Sequence, residues 1–112
     1  MPGVPEDFDY IHTPYHVAES AERKNISPQE ISETVHHPDR LNHDNMTGGL
    51  AAERDVEDGS TIRVVYVVRH RPADPRDAEW EEIKTAMALE GSTIDPEAAV
   101  VVKHITRIRK RS

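Results

Sequence analysis

Thr61-Ile62-Arg63-Val64-Val65-Tyr66-Val67-Val68-Arg69 is the stretch from which the rest of the chain can be ordered. In an extended strand Ile62, Val64, Tyr66 and Val68 share one face, and Val65 and Val67 take the other. A strand wetted on one side would place polar residues at every second position. Apolar residues on both faces predict a central strand, covered from both sides at its middle. Before it, Glu57-Asp58-Gly59-Ser60 reads as a hairpin turn, which makes residues 50–56 the partner strand. After it, residues 71–75 break the pattern. Residues 77–90 then read as a helix with Trp80, Ile83 and Met87 on one side, stopped by Gly91. A loop over 91–96 leads to a last strand over 98–108.

Two helices precede the strands. Thr13-Pro14 reads as N-cap and first helical position, where the missing N–H of proline costs nothing. That helix runs to about Arg23, with Val17, Ala18 and Ala21 as its apolar side. Ser27-Pro28-Gln29-Glu30 is a stronger start: an N-cap serine, proline at N1 and glutamate at N3 form a capping box. Ile26 and Ile31 have the spacing of a hydrophobic staple, and Pro38 ends the helix. The segment 39–49 is polar, with Gly48-Gly49 as a turn, and residues 1–9 form a loose lead-in. The order α-α-β-β-α-β predicts a single α+β domain over 1–112, its strands mainly antiparallel and its two N-terminal helices packed on the sheet.

The chain has no cysteine, which excludes a disulfide framework and thiolate chemistry and fits a reducing cytoplasm. No apolar run approaches membrane length, and Met1-Pro2-Gly3 lacks the features of a signal peptide, so no membrane partner is expected. Charge is unevenly placed. The last twelve residues hold five Lys/Arg and no acid, the basic tail proper being 109–112, whereas all 21 acids lie before them. Such a chain suits a local anion-binding strip better than a surface that coats nucleic acid. By period-two alternation Lys103, Ile105 and Arg107 share a face with Arg109, and His104, Thr106 and Ile108 share the other. The basic row would bind a polyanion such as RNA, or would instead neutralise acids of the body, such as those in 79–82, and protect a sheet edge.

From Tyr10 to Ile108 the order of features resembles a group of small bacterial proteins related to RelE, ParE and BrnT toxins. That group opens with a histidine starting a helix, an arginine about seven residues later, and an Ile-Ser helix start ending near a proline. The same places here hold His16-Val-Ala-Glu-Ser-Ala-Glu-Arg23, Asn25-Ile26-Ser27-Pro28-Gln29-Glu30-Ile31 and Val35-His-His-Pro38. Arg54, Val64-Val-Tyr66 and Thr106 fall where similar proteins have an arginine-bearing strand, a Val/Tyr strand and a threonine in the final strand. The resemblance spans residues 10–70 and 98–108. Two features depart from it: a helical insert over 71–97, and a net charge of −7 where RelE-type nucleases are basic. It implies a RelE/barnase-like fold, an RNA substrate and a cognate antitoxin, with many members of unknown function.

Cofactor-free RNA cleavage needs a base for the 2′-hydroxyl, an acid for the leaving oxygen and a cation for the phosphorane. His16, Ser20 and Arg23 fall at i, i+4 and i+7 on one face of the first helix. The candidate catalytic residues are therefore His16, Arg23 and His104, with Tyr66 and His70 on the central strand, and the candidate substrate-binding residues are Lys103, Arg107, Arg109 and Arg54. The structural alternative is that His16 and Arg23 bridge helix to sheet, Arg23 pairing with an acid such as Glu19, and that Tyr66 is a core aromatic whose hydroxyl finds a partner at the sheet edge. No metal site is expected. His36 and His37 diverge by about 100° on a helix, and Pro14 separates His12 from His16. A loop site from His36, His37 and His43 with Asp39 or Asp44 is the alternative. Two functions compete: a metal-independent endoribonuclease of toxin type, and a non-enzymatic protein-binding module, such as a degenerate toxin fold, an acidic inhibitor or a phage-associated protein.

Overall fold

The structure, a computed structural model, describes residues 8, 10–74, 76–92 and 96–109. Among them the chain runs β1 (Tyr10–His12), α1 (Tyr15–Arg23), α2 (Pro28–His36), β2 (Arg40–His43), β3 (Leu50–Asp55), β4 (Thr61–His70), α3 (Ala78–Leu89) and β5 (Ala98–Ile108). The strands form one mixed sheet in the order β1-β5-β4-β3-β2, parallel only between β1 and β5. The chain is an α+β fold. Residues 110–112 of the expected tail 109–112 and most of the expected lead-in lie outside the described residues, as do 93–95 of the expected loop.

β4 is central and covered on both faces, as its sequence predicts. On one face Ile62, Val64 and Tyr66 join Val17, Ala21, Ile31 and Val35 of α1 and α2 in the larger core. On the other, Val67 packs beside Ala99 and Val101 against Trp80, Ile83 and Met87 of α3. Burying those three α3 side chains contributes on the order of 6 kcal/mol, at roughly 2 kcal/mol each. α3 is bounded as its sequence indicates. The Asp77 carboxylate accepts from the Trp80 N–H at 2.9 Å, and Gly91 adopts the left-handed φ of +84° just past the helix. The α2 start is also as expected, with Ser27 Oγ accepting from Glu30 N at 3.1 Å and Glu30 Oε1 accepting from Ser27 N at 3.0 Å.

Three local expectations are corrected. Pro14, not Thr13, is the α1 N-cap, and no side chain caps that end. Residues 10–12 form a strand, and residues 40–43 form another inside the segment read as polar loop. Both are short outer strands, and neither is long enough to show a period in its side chains. β2 adds a charge clamp, Arg40 reaching Asp55 at 2.7 Å and Glu53 at 3.0 Å. Gly49 is needed where β3 begins: a Cβ there would lie 2.2 Å from the Tyr66 carbonyl oxygen.

The correction with the widest consequence is a β-bulge in β5. Val65 opposes His104 while Tyr66 opposes Val102, so Lys103 is an extra residue in the ladder. One inserted residue reverses the facing of everything after it. Val100 and Val102 face the α1/α2 core, and Ile105 rather than His104 continues that row. Lys103 instead lies on the α3 side, its Nζ 3.2 Å from Glu79. The expected single row Lys103, Arg107, Arg109 is therefore split between the two faces of the sheet.

Candidate functional site

Three of the four expected substrate-binding residues, Arg54, Arg107 and Arg109, line one cleft of about 500 Å³ with Asn25, Glu30, Glu33 and the turn 55–58. The cleft is shaped by how α1 ends. Asn25 takes the left-handed φ of +58°, Ile26 N donates to Ala21 O at 2.8 Å, and Asn25 N donates to Glu22 O at 3.0 Å. This is a Schellman stop with asparagine in the position usually held by glycine, and buried Ile26 and Ala21 supply its apolar contact. The stop leaves the carbonyls of Lys24 and Asn25 facing the end of β5.

Arg107 fills that place. Its Nε donates to Lys24 O at 3.2 Å and its Nη2 to Asn25 O at 2.9 Å. Its Nη1 donates to Ser60 Oγ at 2.8 Å and to Asp58 at 3.2 Å, and Glu30 lies 3.8 Å from Nη2. A cation at a helix C-terminus is also favoured by the helix dipole. Arg107 thus ties α1, the start of α2 and the β3–β4 turn to β5, with its side chain only 11% exposed. The Asp58 carboxyl is held below the usual carboxylate range, chiefly by the Ser60 hydroxyl and N–H, with Arg107 and Arg109 adding to the effect. Arg54 is likewise engaged, its Nη1 donating to His37 O at 2.9 Å. Beside three arginines the cleft holds five carboxylates, Glu30, Glu33, Asp55, Glu57 and Asp58.

The expected catalytic residues do not meet. His16 and Arg23 are exposed on α1, whose Val17 and Ala21 face the sheet; Ala18, read as part of that apolar side, is exposed. The α1 cation that reaches β5 is Lys24, at the helix C-cap, with Nζ 2.6 Å from Ile105 O. No ion pair joins Arg23 to Glu19 among the described residues. His104 is exposed on the opposite face of the sheet, beside Val65. Tyr66 is fully buried, and its hydroxyl has no hydrogen-bond partner among the described residues, so the expected sheet-edge partner is not found. Burial pushes its phenol pKa up, which opposes use as a base. His70 pairs with Ala98 at one end of β4, while Ile62 pairs with Arg107 near the other. At the strand rise these two pairs are roughly 26 Å apart, too far to share one phosphate.

Of the histidine loop, His36 stacks at 5.1 Å on Phe8 and lies 6.2 Å from the His37 ring. No group of three His, Asp or Glu has metal-binding proximity among the described residues. No helix of the described residues is long and apolar enough to cross a membrane. The partners of Arg107 that sequence reading missed are Lys24, Asn25, Glu30, Asp58 and Ser60. Each carried a local signal of its backbone role, the join between two helices at Lys24-Asn25, the capping box at Glu30 and the hairpin turn at Asp58 and Ser60, but none that they would meet around Arg107. Compared with family models, curated proteins and solved structures, the chain matches none of them.

Proposed function

We propose that this chain is a non-enzymatic protein-binding module with a basic partner, on a scaffold of the kind the toxin resemblance implies. The observation that carries this reading is the state of Arg107. The most basic segment of the sequence directs Arg107, the most buried of its described cations, inward, where Lys24, Asn25, Ser60, Asp58 and Glu30 occupy it. Lys103 is paired with Glu79, and Arg54 with a backbone carbonyl. A phosphate would have to displace these contacts and approach a cleft with more carboxylates than arginines. A basic protein surface meets no such barrier, and a chain of net charge −7 would steer its approach.

A second reading, a metal-independent endoribonuclease related to RelE, is favoured by His16, Ser20 and Arg23 lying along one α1 face, with His16 and Arg23 exposed. Incubation of the purified protein with total RNA and with translating ribosomes separates the two. The binding-module reading expects intact RNA and no slowing of growth on induced expression. RNA cleavage that is lost in His16→Ala would overturn it.

A further inference from the structure

We infer that the outer edge of β1 is a docking slot for an extended peptide segment in which basic and apolar residues alternate. The inference rests on the binding-module reading and adds a place and a chemistry to it. β1 is the outermost strand at its end of the sheet, paired on one side to β5 through Tyr10↔Ala99, Ile11↔Val100 and His12↔Val101. No strand pairs with its other side among the described residues. A channel of about 530 Å³ follows that side, walled by Pro28, Ile31, Ser32 and His36 of α2 and by Ala86 and Glu90 beside α3. An unpaired strand edge at the base of a trough between two helices is the geometry of strand addition, where backbone pairing holds the peptide and the walls read its side chains.

The walls differ, and the difference sets the sequence that fits. Tyr10 and His12 point to the α3 side, where the Tyr10 hydroxyl donates to Glu90 and His12 Nε2 lies 3.6 Å from Glu82. Ile11 points to the α2 side and joins the core that contains Ile31. An added strand continues this alternation. Every second side chain of the peptide would meet Glu82, Ala86 and Glu90, which share one helix face at i, i+4 and i+8. The others would meet the apolar side formed by Phe8, Pro28 and Ile31. Further along α3, Glu79 is already bound to Arg69 and Lys103. Glu82 and Glu90 have no Lys or Arg partner among the described residues, and both are exposed. A second feature marks the same place: His12 is 6% exposed, lines the channel, and its Nε2 has no hydrogen-bond partner.

The test uses the full chain and a fluorescent Arg-Val-Arg-Val-Arg-Val peptide, followed by anisotropy. Two controls accompany it: Arg-Arg-Arg-Val-Val-Val, with the same composition and no alternation, and Glu-Val-Glu-Val-Glu-Val. The alternating basic peptide should bind at least about tenfold more tightly than either control, because only it satisfies both walls. Its binding should slow amide hydrogen exchange in residues 10–13. Ala86→Arg places a cation and bulk in the channel and should weaken binding about tenfold or more at an unchanged melting temperature. Ser32→Arg does the same from the α2 wall if the first variant does not fold. Equal binding of the control peptides, or binding untouched by both wall variants, would overturn the slot. So would concentration-dependent dimerisation abolished by those variants, which would make a second copy the occupant. Loss of the slot with RNA left intact would leave the binding-module reading standing, whereas RNA cleavage would remove that reading itself.

Discussion

Arg107→Gln should destabilise the protein by about 2–3 kcal/mol while leaving polyanion affinity unchanged. Arginine at this position donates to Lys24 O, Asn25 O, Ser60 Oγ and Asp58. The Asp58 side chain is 56% exposed and rehydrates on loss of its partner, so that bond contributes close to zero. The other three, made by a cation with 11% exposure, contribute at least about 1 kcal/mol each, the value typical of an ordinary protein hydrogen bond. Glutamine recovers at most one of them. At about 2.1 cal/mol/K of unfolding entropy per residue, the loss corresponds to a fall in Tm of roughly 10 °C. Lys103→Gln is the internal control. Its bond to Glu79 is 3.2 Å long between side chains 37% and 31% exposed, and its removal should cost no more than about 0.5 kcal/mol. Urea unfolding followed by Trp80, the single tryptophan, measures both, and heparin binding across a salt series measures the other arm. Equal stability losses in the two variants would refute the clamp. An unchanged midpoint for Arg107→Gln together with weaker heparin binding would refute it too, and would return Arg107 to an anion-binding strip.

Ser27→Ala should cost about 1 kcal/mol in thermal unfolding, because it removes the acceptor of the Glu30 N–H; an unchanged midpoint would show that the capping box contributes nothing. Tyr66→Phe should leave stability unchanged or raise it by up to about 1 kcal/mol, since it removes a buried hydroxyl without a partner, and a clear loss in urea unfolding would show that the hydroxyl is satisfied. Gly49→Ala should cost about 2–3 kcal/mol, because the added carbon meets the backbone carbonyl of Tyr66 at 2.2 Å; a native melting temperature would mean that β3 shifts freely against β4. The Tyr10 phenol is pushed up to about 12, first by burial and then by its bond to Glu90, so folding favours its protonated form. That stabilisation is complete below pH 10.0 and is lost as pH rises towards about 12. Tyr10→Phe should therefore show a shallower fall of Tm across that window, and parallel curves for the two proteins would remove Tyr10 from the alkaline transition.

The toxin resemblance placed its candidate residues by sequence order, and the fold distributes them differently. His16 and Arg23 stay on the outer side of α1, whereas Lys24 is the residue that turns inward to a β5 carbonyl. The difference follows from the helix stop. Lys24 is the C-cap, and the chain turns at Asn25 so that Ile26 can be buried, which carries the Lys24 side chain towards the sheet.

Sequence alone determined the elements whose cause is local. The two-faced apolar pattern of β4 marks a central strand because a residue's facing in a strand depends only on its parity. α2 is bounded by a capping box spanning Ser27 and Glu30, and α3 ends at Gly91, since caps act within one turn. Tertiary structure decided what depends on distant partners. The three residues of β1 and four of β2 are strands because β5 and β3 offer them a ladder, and segments so short carry little period of their own. The extra residue at Lys103 depends on how β5 fits β4, and it changes which face Arg107 occupies. The partners of Arg107 lie 47 to 83 residues away in sequence, beyond the reach of any local pattern. That Arg107 reaches the chain's own carbonyls was therefore decided only when α1, the β3–β4 turn and β5 came together.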